Sequence, residues 1–499
     1  MKFSLGQLPT KQRAKTLRSA VLAIIITILS IFGCGGGTGG GDGKDAPFNL
    51  LMGMLQFRIL HNLQDDSCVG RGDCFYSIEE EDQTDAWLDK IAADSDLAVL
   101  HWDRALPWLA FDEDPPPGAS RTDFFDARID DKLRFWINAF AAHFASIPYS
   151  YLAVTPLHGL RNKLERCRIN ADLEVEITDA CPDVGPGTVN QFEYDPGTGP
   201  VMASFDLERS YRNFVLYLYD KLRPDYFAIM IEVNMYKALC PAKWNGLVDL
   251  YRTIYDTVRA EVDAETKVFA TVVFQDLLDY EVEQCYGPLT FEPCVGAPGP
   301  PAYPVPDPLN CYPLDLSAIT DLDQGDRLEI LALSFYPDNL LMATSANDNL
   351  LYAYPEDWDE TSDCLMRAQL PPFLDPIAAL DRFNWNKPVA IAELGARSCQ
   401  TFQFVDNGIN RFIIQPQGDL TSQAFWFAHF LQSARQRKFE FYVQVFRDDY
   451  LPIGLWAERQ GVLPENLYNV NNIFPCMGLY DDTGQIKDPI TDIWLDALP

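Results

Sequence analysis

The chain has 499 residues, 47% of them hydrophobic and 13% aromatic, which supplies a full-sized core and is far too apolar for a disordered polymer. Its formal charge is −33. Such a field repels phosphate backbones and anionic lipid surfaces and disfavours strongly acidic polymers as substrates, so nucleic acid is a poor fit as a partner and a neutral ligand a better one.

The N-terminus carries a basic stretch from Lys11 to Arg18, an apolar run from Ala20 to Phe32, and then Ile31-Phe32-Gly33-Cys34 followed by glycines. The apolar run is well short of the ~20 residues that a membrane-spanning helix needs, and reads as a cleaved targeting signal. A small residue directly before a cysteine at the end of such a run resembles the bacterial lipobox. That resemblance implies cleavage before Cys34, a lipid on Cys34, and export to the bacterial cell envelope, with Gly35 at the next position favouring the outer membrane or cell surface. The same residues also read as a plain secretory signal with an incidental cysteine. The glycine-rich stretch that follows is a flexible tether. The expected organisation is therefore a signal over 1–33, a tether over 34–47 and one folded domain over 48–499, a monomer in solution.

Cysteine usage agrees with an oxidising compartment. Cys68 lies near Cys74, Cys167 near Cys181, and Cys285 near Cys294 and Cys311, and these read as disulfides that staple loops. With Cys34 set aside the remaining count is odd, which leaves Cys240 or Cys476 as the expected unpaired thiol. No pair has CxxC spacing and the five histidines are scattered, so neither a metal site nor any other cofactor is expected.

Short runs of branched and aromatic residues recur along the chain, each followed by a segment with helical periodicity. They are Leu50–Phe57, Leu97–Trp102, Tyr149–Val154, Tyr226–Glu232, Lys267–Phe274, Leu328–Ser334, Pro388–Glu393 and Glu440–Phe446. Helices are expected over Asp126–Phe144, Asp206–Leu222, Trp244–Ala260, Ile377–Arg382 and Ser422–Gln436. Cys167–Pro200 and Gly287–Pro313 read as long loops. This is the pattern of repeated βα units around a parallel sheet buried on both faces. Eight units predict an α/β protein built as a (β/α)8 TIM barrel with long disulfide-stapled loops, its chemistry at the C-terminal ends of the strands. No GxGxxG or Walker loop supports a nucleotide-binding open sheet.

Two of the runs end in glutamate, Glu232 closing the fourth strand and Glu393 the seventh. A carboxylate that ends an apolar strand costs several kcal/mol unless a cleft or a partner solvates it. Two carboxylates about 5–5.5 Å apart across one pocket are the machinery of a retaining glycosidase, provided their environments hold their pKa values apart. A single such glutamate reads as an ion pair; two in the same context favour the catalytic reading.

Glutamates closing strands four and seven resemble glycoside hydrolase clan A, and further segments follow in that clan's order. Ser334-Phe335-Tyr336-Pro337 resembles a segment of glycoside hydrolase family 53, the endo-β-1,4-galactanases. Lys387–Gly395 resembles the clan's nucleophile strand and Gly478–Lys487 its closing stretch. The resemblance implies a retaining glycoside hydrolase acting on a neutral β-linked polysaccharide or oligosaccharide. Glu232 would be the acid/base, Glu393 the nucleophile, and Tyr336 a hydrogen-bond partner of the nucleophile. One position departs. The clan usually carries Asn immediately before the acid/base, and here Ile231 stands there, with Asn234 two residues after the glutamate. Either Asn234 takes over a polar role towards substrate or the activity has diverged. Trp102, Trp108 and Trp385 are candidate sugar platforms, each more often simple packing. His101, Asp103, Gln275, Arg447 and Asp448 stand at expected strand ends, where they can bind hydroxyls or make structural hydrogen bonds. The alternatives are a non-catalytic glycan-binding surface lipoprotein on the same barrel, or a transglycosylase.

Overall fold

The computed structural model describes residues 50–55, 78–274 apart from 104, 159–160, 171–172 and 178–179, then 277, 315–335, 385–395, 402–406, 409–413, 420–445, 478–480, 485, 487 and 490–498. Residues 1–49, and with them Cys34, lie outside the described residues. So do Cys68, Cys74, Cys285, Cys294, Cys311 and Cys476, the Ile377–Arg382 helix and the Gly287–Pro313 loop.

The first strands are β1 (Leu51–Leu55), β2 (Leu97–Trp102) and β3 (Tyr149–Val154). Two excursions follow as antiparallel hairpins: β4 (Cys167–Asn170) with β5 (Leu173–Val175), and β6 (Val189–Tyr194) with β7 (Val201–Asp206). The central strands resume with β8 (Tyr226–Ala228), β9 (Lys267–Phe269), β10 (Thr271–Val273), β11 (Leu331–Phe335) and β12 (Val389–Leu394). A third hairpin pairs β13 (Phe402–Asp406) with β14 (Ile409–Ile413), and β15 (Phe441–Val445) is the last strand.

The large sheet runs β10-β11-β12-β15-β1-β2-β3-β8-β9, and every pairing in it is parallel. Its two ends, β9 and β10, are separated only by Ala270, so they form one bent stave and the sheet closes on itself. Eight staves with intervening helices make a (β/α)8 barrel, in which no sheet edge is left open.

Side-chain alternation sorts each strand into an interior and a helix-facing set. The interior is filled rather than hollow. Tyr226 meets Phe441 at 4.8 Å between ring centroids near the strand starts, and Phe441 meets Tyr151 at 4.9 Å. Tyr151 then stacks with Phe269 and stands edge-on to His101 at 5.3 Å. Gly53 is glycine for steric reasons, because a Cβ there would stand 2.6 Å from Val99 Cγ2. On the outer face Trp102 meets Phe214 of the Leu207–Leu222 helix, and Phe227 meets Tyr219 of the same helix.

Helix boundaries follow their caps. The Asp206 side chain accepts from Arg209 N–H at 3.0 Å and starts the Leu207–Leu222 helix. The helix expected from Asp126 begins later, at Asp131, because Asp130 caps it by accepting from Leu133 N–H at 2.9 Å. A separate short helix, Arg121–Asp126, precedes it under a Ser120 cap. Capping of this kind satisfies N–H groups that would otherwise lack partners. Trp244–Glu261 and Leu420–Gln436 are helices close to their expected bounds.

Two sequence expectations are corrected. The Cys167–Pro200 stretch is not simply a long loop, since β4, β5 and β6 lie in it. The expected Cys167 to Cys181 bond is not made, and Cys240 is not the unpaired thiol. Cys181 bonds Cys240, with a Cα–Cα distance of 5.3 Å, and Cys167 is a buried free thiol. Proximity in space, not in sequence, decides pairing. Cys240 caps the Val233–Leu239 helix against the segment that holds Cys181.

Candidate active site

Glu393 belongs to β12 and lies beside Ser334 of β11 in the register. It is 5% exposed. His101, on β2, directs Nδ1 to within 3.4 Å of Glu393 Oε2. The parity of β2 explains the approach: His101 faces the barrel interior, and its neighbour Trp102 therefore faces the helices.

Glu232 is not the last residue of a strand, as its run suggested. The strand β8 ends at Ala228, and Ile229 to Ile231 continue alongside the bend between β9 and β10 through Ile229 N–H to Phe269 O and Thr271 N–H to Met230 O. Glu232 itself adopts φ 52° and ψ 41°, the left-handed region, at the start of the Val233–Leu239 helix. Its N–H donates to Thr271 Oγ1 at 2.8 Å, which holds it there. Such a backbone in a non-glycine residue is costly and is kept where surrounding structure imposes it, commonly at functional sites.

Beside Glu232 lies a residue that sequence reasoning missed. Arg161 follows β3 in a tight excursion: Leu157 and Leu164 form an antiparallel bridge, His158 N–H donates to Lys163 O, and Arg161 N–H donates to His158 O. Arg161 has φ 56° and is 3% exposed. Its Nη2 lies 2.9 Å from Glu232 Oε2 and 3.7 Å from Asp103 Oδ2. The loop is fastened to the Glu232 side of the barrel. Cys181 N–H donates to Asn162 O, Cys181 is bonded to Cys240, and Tyr236 Oη donates to Pro182 O at 2.7 Å. The available signal was positional, a basic side chain within ten residues of a strand's C-terminal end.

Charge and burial divide this cluster. Burial, first, and then the charges of Glu232 and Asp103 push the Glu393 carboxyl well above the ordinary range, with Arg161 opposing. Burial also takes His101 down to about 4, against the pull of Asp103 and Glu232, so the imidazole is neutral at neutral pH. Burial alone would lower Arg161, but Glu232 and then Asp103 outweigh it and strengthen the guanidinium's hold on its proton. Tyr151 is raised by burial and then by Glu393 and Glu232. All three mechanisms by which a site shifts a pKa therefore operate here.

Four buried polar atoms beside these carboxylates have no protein partner: His101 Nε2, Tyr151 Oη, Ser334 Oγ and Arg161 Nε. Buried polar groups are nearly always paired, so such a group calls for a polar guest, whether water or ligand. Among the described residues there is no group of three or more His, Cys, Asp or Glu side chains able to hold a metal, and no helix long and apolar enough to cross a membrane.

The other expected site residues are placed differently. Asn234 is 5% exposed and its amide is occupied: Nδ2 donates to Val273 O at 2.8 Å and Oδ1 accepts from Val273 N–H at 2.7 Å. It braces the helix after Glu232 against β10. Trp102 is 2% exposed in the helix-facing layer, and Trp108 is 1% exposed, stacked on Phe205 with its Nε1–H donated to Glu165 O. Neither offers a ring face as a platform. Trp385 precedes β12, at the end of that strand opposite Glu393. Asp103 does join the cluster, through Arg161. Tyr336, Gln275, Arg447 and Asp448 lie outside the described residues.

No protein-family model matches the chain, and no curated protein matches it. Among solved structures it is similar to an exo-beta-1,4-mannosidase from Opitutaceae bacterium strain TAV5, at 13% identity and a TM-score of 0.42, covering 90% of this chain and 59% of the mannosidase. It is also similar to fungal beta-1,4-galactanases, at 12% identity and a TM-score of 0.36, covering 82% of this chain and 90% of theirs. A beta-mannanase from Alicyclobacillus acidocaldarius has 11% identity and a TM-score of 0.33, with 91% and 98% covered.

Proposed function

We propose that the chain is a glycoside hydrolase that cleaves a neutral β-linked polysaccharide or oligosaccharide by double displacement, with Glu232 and Glu393 as its carboxylate pair. The supporting observation is that two glutamates from different sides of the ring of staves belong to one buried cluster, in which the charge of Glu232 acts on Glu393. A protein that only packs has no use for such a pair, and the unpartnered polar atoms beside it suit a hydroxylated ligand. In the roles the clan A resemblance implies, Glu232 is the acid/base and Glu393 the nucleophile. The family 53 resemblance makes galactan the first substrate to try.

A second reading, a barrel that binds glycan without cleaving it, is favoured by one contact. Arg161 pairs with Glu232 at 2.9 Å, so an oxygen of that carboxylate is already engaged by a protein group. The N-terminal resemblance adds a lipid anchor on Cys34 and a place in the bacterial cell envelope, checked by mass spectrometry of the N-terminal peptide from envelope fractions.

The test is hydrolysis of galactan, mannan, xylan and β-glucan by the purified protein beside its Glu232→Gln and Glu393→Gln variants. Cleavage by the parent, with a loss of at least about 100-fold in each variant, is the expected result. Binding without cleavage by the parent would replace this reading with the second.

A further inference from the structure

We propose that the Cys181–Cys240 disulfide is a redox-sensitive clasp on this site: closed, it holds the Arg161 guanidinium on Glu232, and a dithiol reductant that opens it releases the Arg161 loop while the Glu232 backbone stays in place.

Two elements meet at this bond. One is the excursion after β3, which carries Arg161. Cys181 N–H donates to Asn162 O at 2.7 Å, so the half-cystine stands beside the residue that follows Arg161. The other is the Val233–Leu239 helix, with Glu232 at its start and Cys240 at its end. The Arg161–Glu232 contact at 2.9 Å and the Cys181–Cys240 bond therefore link the same pair of elements, and the second link is covalent. Arg161, Cys181 and Glu232 are also three of the six non-glycine residues with positive φ among the described residues. Such backbone persists in a residue with a Cβ only where its surroundings impose it.

The two elements differ in what else holds them. The helix is anchored on the barrel: Glu232 N–H donates to Thr271 Oγ1 at 2.8 Å, and the Asn234 amide exchanges two hydrogen bonds with the Val273 backbone. The excursion meets the helix side through the Tyr236 Oη bond to Pro182 O at 2.7 Å and the Lys243–Asp183 ion pair. Both side chains of that pair are exposed, and an exposed pair contributes little. Local opening starts where the fewest constraints remain. With the disulfide gone that place is the Arg161 loop, not Glu232.

The chemistry of opening is thiol–disulfide exchange. Cys181 is partly exposed and Cys240 is 3% exposed, so a thiolate of the dithiol attacks Cys181 Sγ. The S–S bond breaks with its electron pair on Cys240 Sγ, which takes up a proton. The second thiol then displaces Cys181 from the mixed disulfide. In sum two electrons and two protons pass to the cystine, and the reductant closes to a cyclic disulfide.

The test is hydrogen exchange read by mass spectrometry on the oxidised protein, after dithiothreitol and after reoxidation, beside a Cys181→Ala, Cys240→Ala double variant. Peptides across 161–170 and 181–188 should exchange about tenfold faster or more on reduction, those across 226–239 should not change, and reoxidation should restore the first state. The double variant should match the reduced parent and ignore dithiothreitol. Unchanged exchange in the parent overturns the clasp, as does equal loosening of 226–239, which makes the bond a general staple. A double variant that still responds assigns the effect to another cysteine and overturns it too. The parent's own reduction cycle decides the matter if the variant does not fold.

A consequence for catalysis rests on the glycosidase reading. Arg161 orients the Glu232 carboxyl, so kcat should fall about tenfold or more on reduction and return on reoxidation. Exchange is read whether or not any glycan is cleaved, which separates failure of the clasp from failure of that reading. An opened loop with unchanged kcat removes Arg161 from the orienting role.

Discussion

Replacing Glu393 with Gln exchanges a buried carboxyl for an uncharged group of the same shape, and its effect on stability has a pH signature. In the folded chain burial, then Glu232 and Asp103, raise the Glu393 carboxyl well above its ordinary 4.5. In the unfolded chain it titrates near that ordinary value. A folded-state pKa above the unfolded one gives stability that is fully present below the unfolded pKa and is lost as pH rises through the folded pKa. Within the window the folded chain binds one proton more than the unfolded chain, a slope of about 1.4 kcal/mol per pH unit. Glutamine has no proton to lose. Glu393→Gln should therefore gain on the parent by up to about 1.4 kcal/mol for each pH unit that lies between the unfolded and the folded values. Urea denaturation of both proteins at several pH values, with equal denaturant slopes, gives the difference directly. Stability curves that run parallel from about pH 5 to 7 would show that Glu393 is ionised in the folded protein, and the argument from burial and like charge would fail.

Three further outcomes follow from the geometry. Arg161→Met leaves Glu232 and Asp103 without their cation (Arg161 is 3% exposed), and should cost about 3–5 kcal/mol at neutral pH, narrowing as acid protonates the carboxylates; a urea-measured loss below about 1 kcal/mol would mean that solvent already screens the contact. Gly53→Ala pushes a methyl to 2.6 Å from Val99 Cγ2 inside the barrel, for about 1–3 kcal/mol of destabilisation; an unchanged melting temperature would disprove the close approach. Cys240→Ser opens a crosslink between residues 59 apart, worth roughly 4 kcal/mol by chain entropy, and should raise proteolysis in the Arg161 loop; a digestion pattern equal to the parent's would deny that the disulfide braces it.

The barrel was legible because strands buried on both faces are continuous apolar runs. Leu97–Trp102 and Tyr149–Val154 have the bounds that their composition predicts. The hairpins were missed for the converse reason. Val189–Tyr194 buries only Phe192, so its sequence is polar and reads as loop although its backbone is paired. The helix expected from Asp126 failed on capping. Two aspartates in one helical pattern give no sign of which is the cap, and Asp130 is chosen by its bond to Leu133 together with its ion pair to Arg168.

At the site, the two glutamates were visible because a charge at the end of an apolar run has few structural explanations. The tryptophans misled for a reason internal to that same signal. In a strand apolar on both faces, composition carries no parity, so nothing in Leu97–Trp102 tells that His101 points inward and Trp102 outward. Arg161 left no trace in any periodicity, yet it changes the chemistry more than the misplaced aromatics do. Among the described residues of the site, Arg161 is already engaged by Glu232 and Asp103, and burial with the charges of those two carboxylates raises Glu393. A sugar carboxylate would meet those charges in a buried setting where the guanidinium is already engaged, and a neutral pyranose would not. The preference for a neutral ligand drawn from the charge of the whole chain thus has a local counterpart, and the local one is the stronger, because buried charges are screened far less than those on the surface.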